Sequence, residues 1–310
     1  MNKIVYIFFF VNFFILYIQN QKNWYEIFSS IPESEYPNIL KKWYKEKKKE
    51  ELNLNNPLTF CQKIQWLKIF DRNPLKTKLA DKFLVKKWVE NKIGIQYIIP
   101  TIGVWDKFEN IDFNILPEKF VLKCNHGSGM NLIVTNKSKI NMKIAKKKFN
   151  KWMNTNFAFV NGLELEYKNI SHKIIAEEYI ENINGDVFDY KLWCFNGICD
   201  YIMVLSERKK KLKMSFYDKN WNFLSYHYMK KHKKPFNKPN NLNKLLKLGE
   251  ILSNNFKFVR VDFYILNNNT IKFGEMTFHP YSGVEQWENK KTDEIFGKKL
   301  KLKEEKNIEL

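Results

Sequence analysis

The sequence predicts an α+β protein, and three observations support this fold class. Residues 24–94 are helical in character, whereas two later segments alternate apolar and polar residues with the period of a β-strand. Residues 188–197 end in Asn196-Gly197, a strong signal for a type I′ hairpin turn. Residues 258–278, FVRVDFYILNNNTIKFGEMTF, contain two alternating runs separated by an Asn cluster, which predicts a second hairpin.

Length, charge and cysteine content limit the class of protein. The 310 residues can form two or three subdomains with a substantial core. A net charge of +20 would suit nucleic acid, but much of it lies in lysine-rich helical stretches, and no nucleic-acid motif accompanies it. We therefore expect no nucleic-acid partner, since a basic surface also suits an acidic glycan, an anionic membrane or a nucleotide. The four cysteines form no CxxC pair, so we expect reduced thiols of a cytosolic protein.

An apolar segment opens the chain at residues 4–18, interrupted only by Asn12. As a helix it spans about 22 Å at ~1.5 Å per residue, which is less than the ~30 Å hydrocarbon core of a bilayer. A signal peptide, an uncleaved anchor, and a helix packed on the protein or the membrane surface are all left open. No small-residue cleavage site precedes Asn23. Because lysines follow the segment, an anchor would keep the protein body in the cytoplasm.

Helix signals dominate the next region. Thr59 with Gln62 three residues later forms a capping box and predicts a helix start. Residues 76–91 predict the following helix, and two further amphipathic helices are predicted over residues 142–153 and 240–253. Lys82 and Lys86 lie four residues apart on the exposed side of the second helix. Such lysines are usually solvated, and a binding role for either is left open.

A glycine-containing loop follows the strand predicted over residues 120–123. The loop includes Gly127 and Gly129 and leads into another apolar strand, over residues 132–134. It is not a Walker loop, because GxxxxGK[ST] is absent and no helix follows. Its backbone N–H groups could hold phosphates, with Lys123 adding a point charge. An ordinary hairpin tip is the alternative.

The hairpin over residues 258–278 has an unusual polar face. If its four-residue turn closes symmetrically, Asp262 lies opposite Glu275, and Arg260 lies opposite Thr277. Opposed side chains have Cβ atoms roughly 4.5–5.5 Å apart, so the two carboxylates repel unless a cation lies between them. This pattern indicates a Mg²⁺–phosphate site, whereas incidental acids on a solvated face are the alternative. A register shift of one residue would remove the site.

Five stretches resemble the ATP-grasp superfamily and, more closely, its teichuronopeptide-biosynthesis (TupA-like) family. They are KIQWLKIFDRNPL, LADKF, FVLKCNHGSGMN, DYKLWCFNG and FVRVDFY…FGEMTF, within about residues 54–302. The last also resembles the metal-binding segment of D-alanine–D-alanine ligases. The resemblance implies two α+β subdomains that clasp ATP, preceded by a helical N-terminal region. The implied divisions are a hydrophobic segment at 1–22, a mostly helical region at 23–115, a nucleotide-binding subdomain at 116–182 and a C-terminal subdomain with the metal-binding hairpin at 183–310.

The resemblance also implies a set of site residues. Mg²⁺ would bind Asp262 and Glu275, and Arg260 with Lys123 would stabilise the charge that develops during phosphoryl transfer. Two positions depart from the superfamily pattern, since Thr277 stands where Asn is common and Tyr281 where Gly is common. ATP would contact Lys86 (or its competitor Lys82), Lys123, His126, Gly127, Ser128, Gly129, Glu177, Glu178, Tyr179, Ile180 and Lys191.

The resemblance implies an ATP-dependent carboxylate–amine ligase that works through an acyl phosphate. We expect a small-molecule amine and a uronic-acid-containing glycan, or its precursor, as substrates of cell-envelope polysaccharide biosynthesis. The location would be cytoplasmic, with contact to the inner face of the membrane through residues 4–18 left open. Two alternatives are a sugar kinase of the same fold and a non-catalytic basic protein that binds a glycan or a membrane.

Overall fold

The computed structural model describes residues 23–181, 187–206, 213–226 and 236–302. The apolar segment at residues 4–18 lies outside these ranges, so its contact with a membrane stays a prediction. Within the described ranges, no helix combines the length and apolar character needed to cross a bilayer.

The helical character predicted for the N-terminal region is confirmed. Thr59 begins the third helix: its hydroxyl accepts a hydrogen bond from the Gln62 N–H at 3.3 Å, and the Gln62 side chain accepts one from the Leu58 N–H at 3.0 Å. The α-helices of the described residues are α1 (Trp24–Ser30), α2 (Tyr36–Lys48), α3 (Phe60–Phe70), α4 (Leu75–Ala80), α5 (Leu84–Ile93), α6 (Met142–Met153), α7 (Leu242–Ser253) and α8 (Lys291–Lys299).

The single helix predicted over residues 76–91 is wrong, because α4 and α5 are separate. At the break, one carboxylate oxygen of Asp81 accepts hydrogen bonds from two backbone N–H groups of the next turn, at 2.8 and 3.1 Å. Its other oxygen accepts one from the Asn125 side chain at 2.9 Å. The N–H of Lys82 also donates to the Asn125 carbonyl, at 3.1 Å. The break therefore attaches Lys82 to the glycine-containing loop.

The first sheet has four antiparallel strands. They are β1 (Thr101–Trp105), β2 (Phe120–Cys124), β3 (Asn131–Val134) and β4 (Ile174–Glu178), in the order β1-β4-β2-β3. The glycine-containing loop joins β2 to β3 at one end of this sheet. Because β1 comes from the region predicted as mostly helical yet pairs with β4, the predicted subdomain boundaries stay predictions.

The second sheet has six antiparallel strands in the described residues. They are β5 (Phe188–Phe195), β6 (Ile198–Ser206), β7 (Lys213–Asp218), β8 (Phe223–Leu224), β9 (Phe258–Ile265) and β10 (Ile271–Thr277), in the order β10-β9-β5-β6-β7-β8. Asn196 and Gly197 have φ of 50° and 83°, which confirms the predicted type I′ turn. The same hairpin pairs Cys194 with Cys199 in a disulfide, so the expectation of four reduced thiols is wrong for these two. The register of the strands brings the two cysteines face to face.

The hairpin of β9 and β10 has the predicted pairing, with Asp262 opposite Glu275 and Arg260 opposite Thr277. The hairpin differs from the predicted one in two ways that compensate for each other. Ile271 pairs with Ile265, the last residue of β9, so the loop is one residue longer than predicted. A bulge at Gly274 shifts the register by one residue and restores the predicted pairs.

Gly274 suits the bulge because a larger residue would be crowded there. An added Cβ would lie 3.1 Å from the Asp262 carbonyl oxygen and 3.2 Å from the Tyr264 ring. Glycine therefore allows β10 to approach β9 closely enough to set Glu275 opposite Asp262.

An aromatic cluster joins the N-terminal helices to the second sheet. Phe60 of α3 is fully buried, with its ring 5.5 Å from Trp193, 5.0 Å from Phe258 and 5.9 Å from Phe296 of α8. Aromatic pairs at such distances contribute roughly 0.5–1.5 kcal/mol each beyond their buried area. This packing holds α3 and α8 against one face of the sheet, while the other parts of the chain surround a cavity.

Candidate active site

A cavity of about 1340 Å³ is lined by residues of both sheets and of the N-terminal helices. Its size is sufficient for a nucleotide and a second substrate. Of the residues predicted for the site, the structure places all but Lys86 and His126 in the lining: Lys123, Gly127, Ser128, Gly129, Glu177, Glu178, Tyr179, Ile180, Lys191, Arg260, Asp262 and Glu275.

Arg260 and Asp262 form the most tightly paired part of the lining. Arg260 is 7% exposed and Asp262 is 1% exposed. The Nε and Nη2 groups of Arg260 donate to the two carboxylate oxygens of Asp262 at 2.7 and 2.8 Å. Burial works against the charge of Arg260, but the carboxylates of Asp262 and Glu275 raise its pKa. The guanidinium is therefore a permanent, rigidly held cation.

Asp262 also accepts a hydrogen bond from the ammonium group of Lys191. Lys191 pairs with Asp189 as well, at 2.8 Å, and lies beside Asp262 on the neighbouring strand β5. Burial raises the pKa of Asp262, and the carboxylates of Asp189 and Glu275 add to the effect, although Arg260 and Lys191 oppose it. The oxygens of Asp262 are thus occupied by two cations of the protein itself.

Glu275 is the more open of the two opposed acids, with 31% of its side chain exposed. One oxygen accepts hydrogen bonds from Arg260 at 3.1 Å and from the Thr277 hydroxyl at 3.2 Å, and the other lies 3.7 Å from Lys82. Burial opposes ionisation, but Lys82, Lys191 and Arg260 lower the pKa of Glu275 to about 2. Glu275 therefore presents an ionised carboxylate to the cavity.

Two lysines converge on Glu177 in the first sheet. Glu177 is 4% exposed, and its two oxygens lie 2.8 Å from the ammonium of Lys86 and 2.5 Å from that of Lys123. Burial raises the pKa of Glu177, but the two cations outweigh this effect and leave it lowered. Glu177 thus fixes Lys123 at the cavity wall and holds Lys86 behind it.

Lys82 and Lys86 occupy different environments. Lys86 donates to the Ile99 carbonyl at 2.8 Å and to the Thr101 hydroxyl at 2.7 Å, in addition to its ion pair with Glu177. All three of its N–H donors have partners, and burial lowers its pKa. Lys82 instead lines the cavity and donates to the Gly127 carbonyl at 2.6 Å. In this structure Lys82, not Lys86, faces the space where a ligand would lie.

The glycine-containing loop also divides into two parts. Gly127, Ser128 and Gly129 line the cavity, and Gly129 has a φ of 73°, which favours glycine. His126 is fully buried beneath the loop; its ring stacks on His172 at 3.5 Å and accepts or donates at both nitrogens. Burial, with a contribution from His172, lowers the pKa of His126 to about 4. His126 therefore supports the loop as a neutral ring.

Three further lining residues were missed by the sequence analysis. Glu164, His279 and Glu285 lie at the end of the cavity nearest the N-terminal helices and are each at least nine-tenths buried. Glu164 stands in the run GLELEY, where acids alternate with leucines, and this was the one local signal available. The other two follow β10 in irregular chain, where no periodic pattern marks them.

The metal-binding potential of the site rests on Asp262 and Glu275. Among the described residues, no three His, Cys, Asp or Glu side chains come together as a preformed metal site. Two carboxylates with hard oxygen donors suit a Mg²⁺ ion that takes its other ligands from phosphates and water.

Comparison with known proteins adds a family and a set of solved structures. A family model described as TupA-like ATPgrasp matches residues 62–301. No curated protein matches the sequence. Among solved structures, D-alanine–D-alanine ligase from Helicobacter pylori is 16% identical with a TM-score of 0.38, covering 72% of this chain and 61% of that one. N5-carboxyaminoimidazole ribonucleotide synthetase in its ADP complex is 10% identical with a TM-score of 0.40, covering 70% and 50%.

A third similar structure is N5-carboxyaminoimidazole synthetase from Staphylococcus aureus, 12% identical with a TM-score of 0.38, covering 64% of this chain and 44% of that one. The chain therefore spans between 44% and 61% of the length of these three structures.

Proposed function

Because the chain belongs to the TupA-like ATP-grasp family, we propose that it is an ATP-dependent ligase that joins a carboxylate to an amine. The observation that carries the proposal is the pairing of β9 with β10. It sets Asp262 opposite Glu275 at the wall of a cavity that also contains Lys123 and the glycine-containing loop. Together they would supply an acid pair for Mg²⁺, a lysine for phosphates and a loop with backbone N–H donors in one space.

The formal charges of the site support a requirement for a divalent cation. Around the hairpin, the acids Asp189, Asp262 and Glu275 face the cations Lys82, Lys191 and Arg260. Three negative charges thus meet three positive ones before any ligand binds. A triphosphate brings several further negative charges, which the protein's own cations are too few to balance.

A bound Mg²⁺ would supply that missing charge and would polarise the transferred phosphoryl group. Asp262 and Glu275 would hold it. Lys191, which now pairs with Asp262, would be free to contact a phosphate once the metal takes its place. The adenine would lie against residues 178–180, where β4 ends and the chain lines the cavity.

The reaction has two steps. A substrate carboxylate oxygen attacks the γ-phosphorus of ATP, and ADP leaves, giving an acyl phosphate. The amine, once it has lost its ammonium proton to solvent, attacks the carbonyl carbon through its nitrogen. The C–O bond to phosphate then breaks, the second N–H proton passes to the departing phosphate, and an amide and inorganic phosphate are left. Arg260 is placed to stabilise the anionic charge that grows in both steps, because it is buried, rigid and always charged.

We further propose a uronic acid of a cell-surface polysaccharide, or its precursor, as the carboxylate substrate. The net charge of +20 supports an acidic polymer as a partner. ATP is a cytosolic substrate, so we place the reaction in the cytoplasm, at the inner face of the membrane if residues 4–18 contact it.

The test measures ADP release together with trapping of the acyl phosphate by hydroxylamine, using a glucuronic-acid oligosaccharide as the carboxylate. The wild-type protein should release ADP and form a hydroxamate, both dependent on the oligosaccharide. Asp262→Asn and Glu275→Gln should each lower both rates by about 100-fold or more, because each removes a charge from the metal site.

The exposed acid Glu294, on the far helix α8, provides a matched control. Glu294→Gln makes the same chemical change as Glu275→Gln outside the cavity and should leave both rates unchanged. Phosphorylated oligosaccharide without hydroxamate would replace the ligase with a kinase. Near-normal ADP release by both hairpin variants would refute the site.

A further inference from the structure

The end of the cavity nearest the N-terminal helices contains buried polar groups that the phosphoryl-transfer chemistry does not use. Glu164 is 7% exposed and lines this end, yet its carboxylate makes no hydrogen bond or ion pair within the described residues. Burial, with a contribution from Glu166, raises its pKa well above the ordinary value. A buried acid without a partner destabilises a protein, so its presence in a cavity indicates a ligand.

Glu285 is a second such acid. It is 3% exposed; one oxygen has no hydrogen-bond partner in the described part of the chain, and the other accepts only a weak bond from the Cys61 thiol at 3.5 Å. Burial, together with the nearby Asp293, raises the pKa of Glu285 to about 8. Glu285 thus lines the cavity and carries a buried carboxyl oxygen without a partner.

His279 contributes a third group of the same kind. Its Nδ1 lies 2.9 Å from both oxygens of Glu166, whereas its buried Nε2 has no partner among the described residues. Burial lowers the pKa of His279, so the ring is neutral and donates its single N–H to Glu166. The Nε2 atom is therefore a buried hydrogen-bond acceptor without a partner in a residue that lines the cavity.

Two cations in this neighbourhood, Lys48 and Lys68, already have other partners. The ammonium of Lys48 donates to the backbone carbonyl of Glu285 at 2.6 Å. The ammonium of Lys68 donates to the carbonyl and hydroxyl oxygens of Ser282 at 2.9 and 2.6 Å and lies 4.9 Å from the Trp43 ring. It interacts with Glu164 and Glu285 only through space. The two acids therefore keep unused capacity for a second cation.

Glu164 lines the same cavity as the hairpin residues Arg260 and Glu275. A ligand bound beside Glu164 would therefore share this space with the phosphates.

We propose that Glu164, Glu285 and His279 form the subsite that binds the amine substrate in its protonated form. This inference rests on the proposed ligase function and names the charge of the second substrate. An ammonium group has N–H donors and no acceptor, and the subsite offers acceptors in three unpartnered positions. Burial raises the pKa of both acids, and a bound ammonium would favour their ionised form, whereas a bound carboxylate would disfavour it. We therefore expect the uronate nearer Arg260 and the lysines.

Binding can be tested without turnover, by thermal unfolding of the full-length protein with ethanolammonium chloride or an equal concentration of sodium chloride. Ethanolammonium should raise the melting temperature of the wild-type protein more than sodium does. The increment should disappear in Glu164→Gln and in Glu285→Gln, and it should persist in the exposed control Glu294→Gln. An equal response to the two salts in the wild type would overturn the proposal.

A second experiment connects the subsite to the reaction. Hydroxylamine is uncharged at neutral pH, so ethanolammonium competes with it for the acyl phosphate only where the ammonium is bound. Glu164→Gln should need at least tenfold more ethanolammonium than the wild type to halve its own rate of hydroxamate formation, whereas the exposed control Glu294→Gln should need the same concentration as the wild type. Equal competition in variant and wild type would refute the subsite, whereas the absence of hydroxamate in the wild type would refute the ligase and leave the thermal test to decide the subsite.

Discussion

Replacing Glu285 by glutamine should stabilise the unliganded protein, and the size of the effect follows from the pKa of the buried acid. Glu285 has a pKa of about 8, against an ordinary value of 4.5. At pH 7 the folded state keeps a proton that the unfolded state has lost, and this costs about 3 kcal/mol at 1.36 kcal/mol per pKa unit. Glutamine resembles the protonated acid in shape and has no proton to retain.

The pH dependence has a definite sign. Between pH 4.5 and 8 the folded protein binds more protons at this position than the unfolded chain, so the contribution of Glu285 to stability falls as the pH rises. Glu285→Gln should therefore gain its full advantage near pH 8 and lose it towards pH 5. At roughly 2 °C per kcal/mol, the melting temperature at pH 7 should rise by about 6 °C.

The assay is thermal unfolding of wild type, Glu285→Gln and the exposed control Glu294→Gln at pH 5, 6, 7 and 8. The control should follow the wild type at every pH. An advantage that does not change with pH would show that the pKa of Glu285 is ordinary. A variant less stable than the wild type at pH 8 would refute the account of Glu285 as a buried acid without a counter-ion.

Two other substitutions separate structural from ligand-binding roles. Lys86→Met should destabilise the fold by about 1–3 kcal/mol, because it breaks a buried ion pair and two hydrogen bonds. Lys82→Met should mainly raise the KM for ATP, because Lys82 lines the cavity. Unfolding and kinetics should be measured on both variants, and the opposite pattern would make Lys86 the lysine that contacts ATP. Gly274→Ala should lower the free energy of unfolding by about 1–2 kcal/mol and slow ADP release, because its methyl group would lie 3.1 Å from the Asp262 carbonyl oxygen. Unchanged ADP release would show that the bulge does not position Glu275.

The hairpin was predictable because strand periodicity leaves few choices. Alternating apolar residues in Phe258–Ile265 fix one face towards the core, so Arg260 and Asp262 must share the other. The pairing of Asp262 with Glu275 was correct although the loop length was not, since the bulge at Gly274 shifts the register back by one residue. A bulge of this kind is formed by packing between strands, and the sequence marks it only by a glycine.

The helix break at Asp81 was not predictable for a related reason. The segment from Leu75 to Ile93 contains neither Pro nor Gly, and its apolar residues suit one continuous helix. The break is stabilised by a partner distant in sequence, because Asp81 accepts a hydrogen bond from Asn125 at 2.9 Å. Lys82 then lies at the break rather than one turn before Lys86, so sequence alone could not decide which lysine faces the cavity.

The roles of the buried acids were hardest to predict, because each role depends on whether the folded chain places a cation beside the carboxylate. Glu177 and Glu164 are both acids in apolar surroundings, yet Glu177 has two lysines within 2.8 Å and Glu164 has no partner in the described residues. That contrast comes from tertiary packing, and no spacing in the sequence encodes it. Glu177 and Asp262 each share their two oxygens between two cations of the protein. In the same cavity, among the described residues, Glu164 has no partner, and one oxygen of Glu285 and one nitrogen of His279 have none. Such groups suit a ligand that the protein does not itself supply.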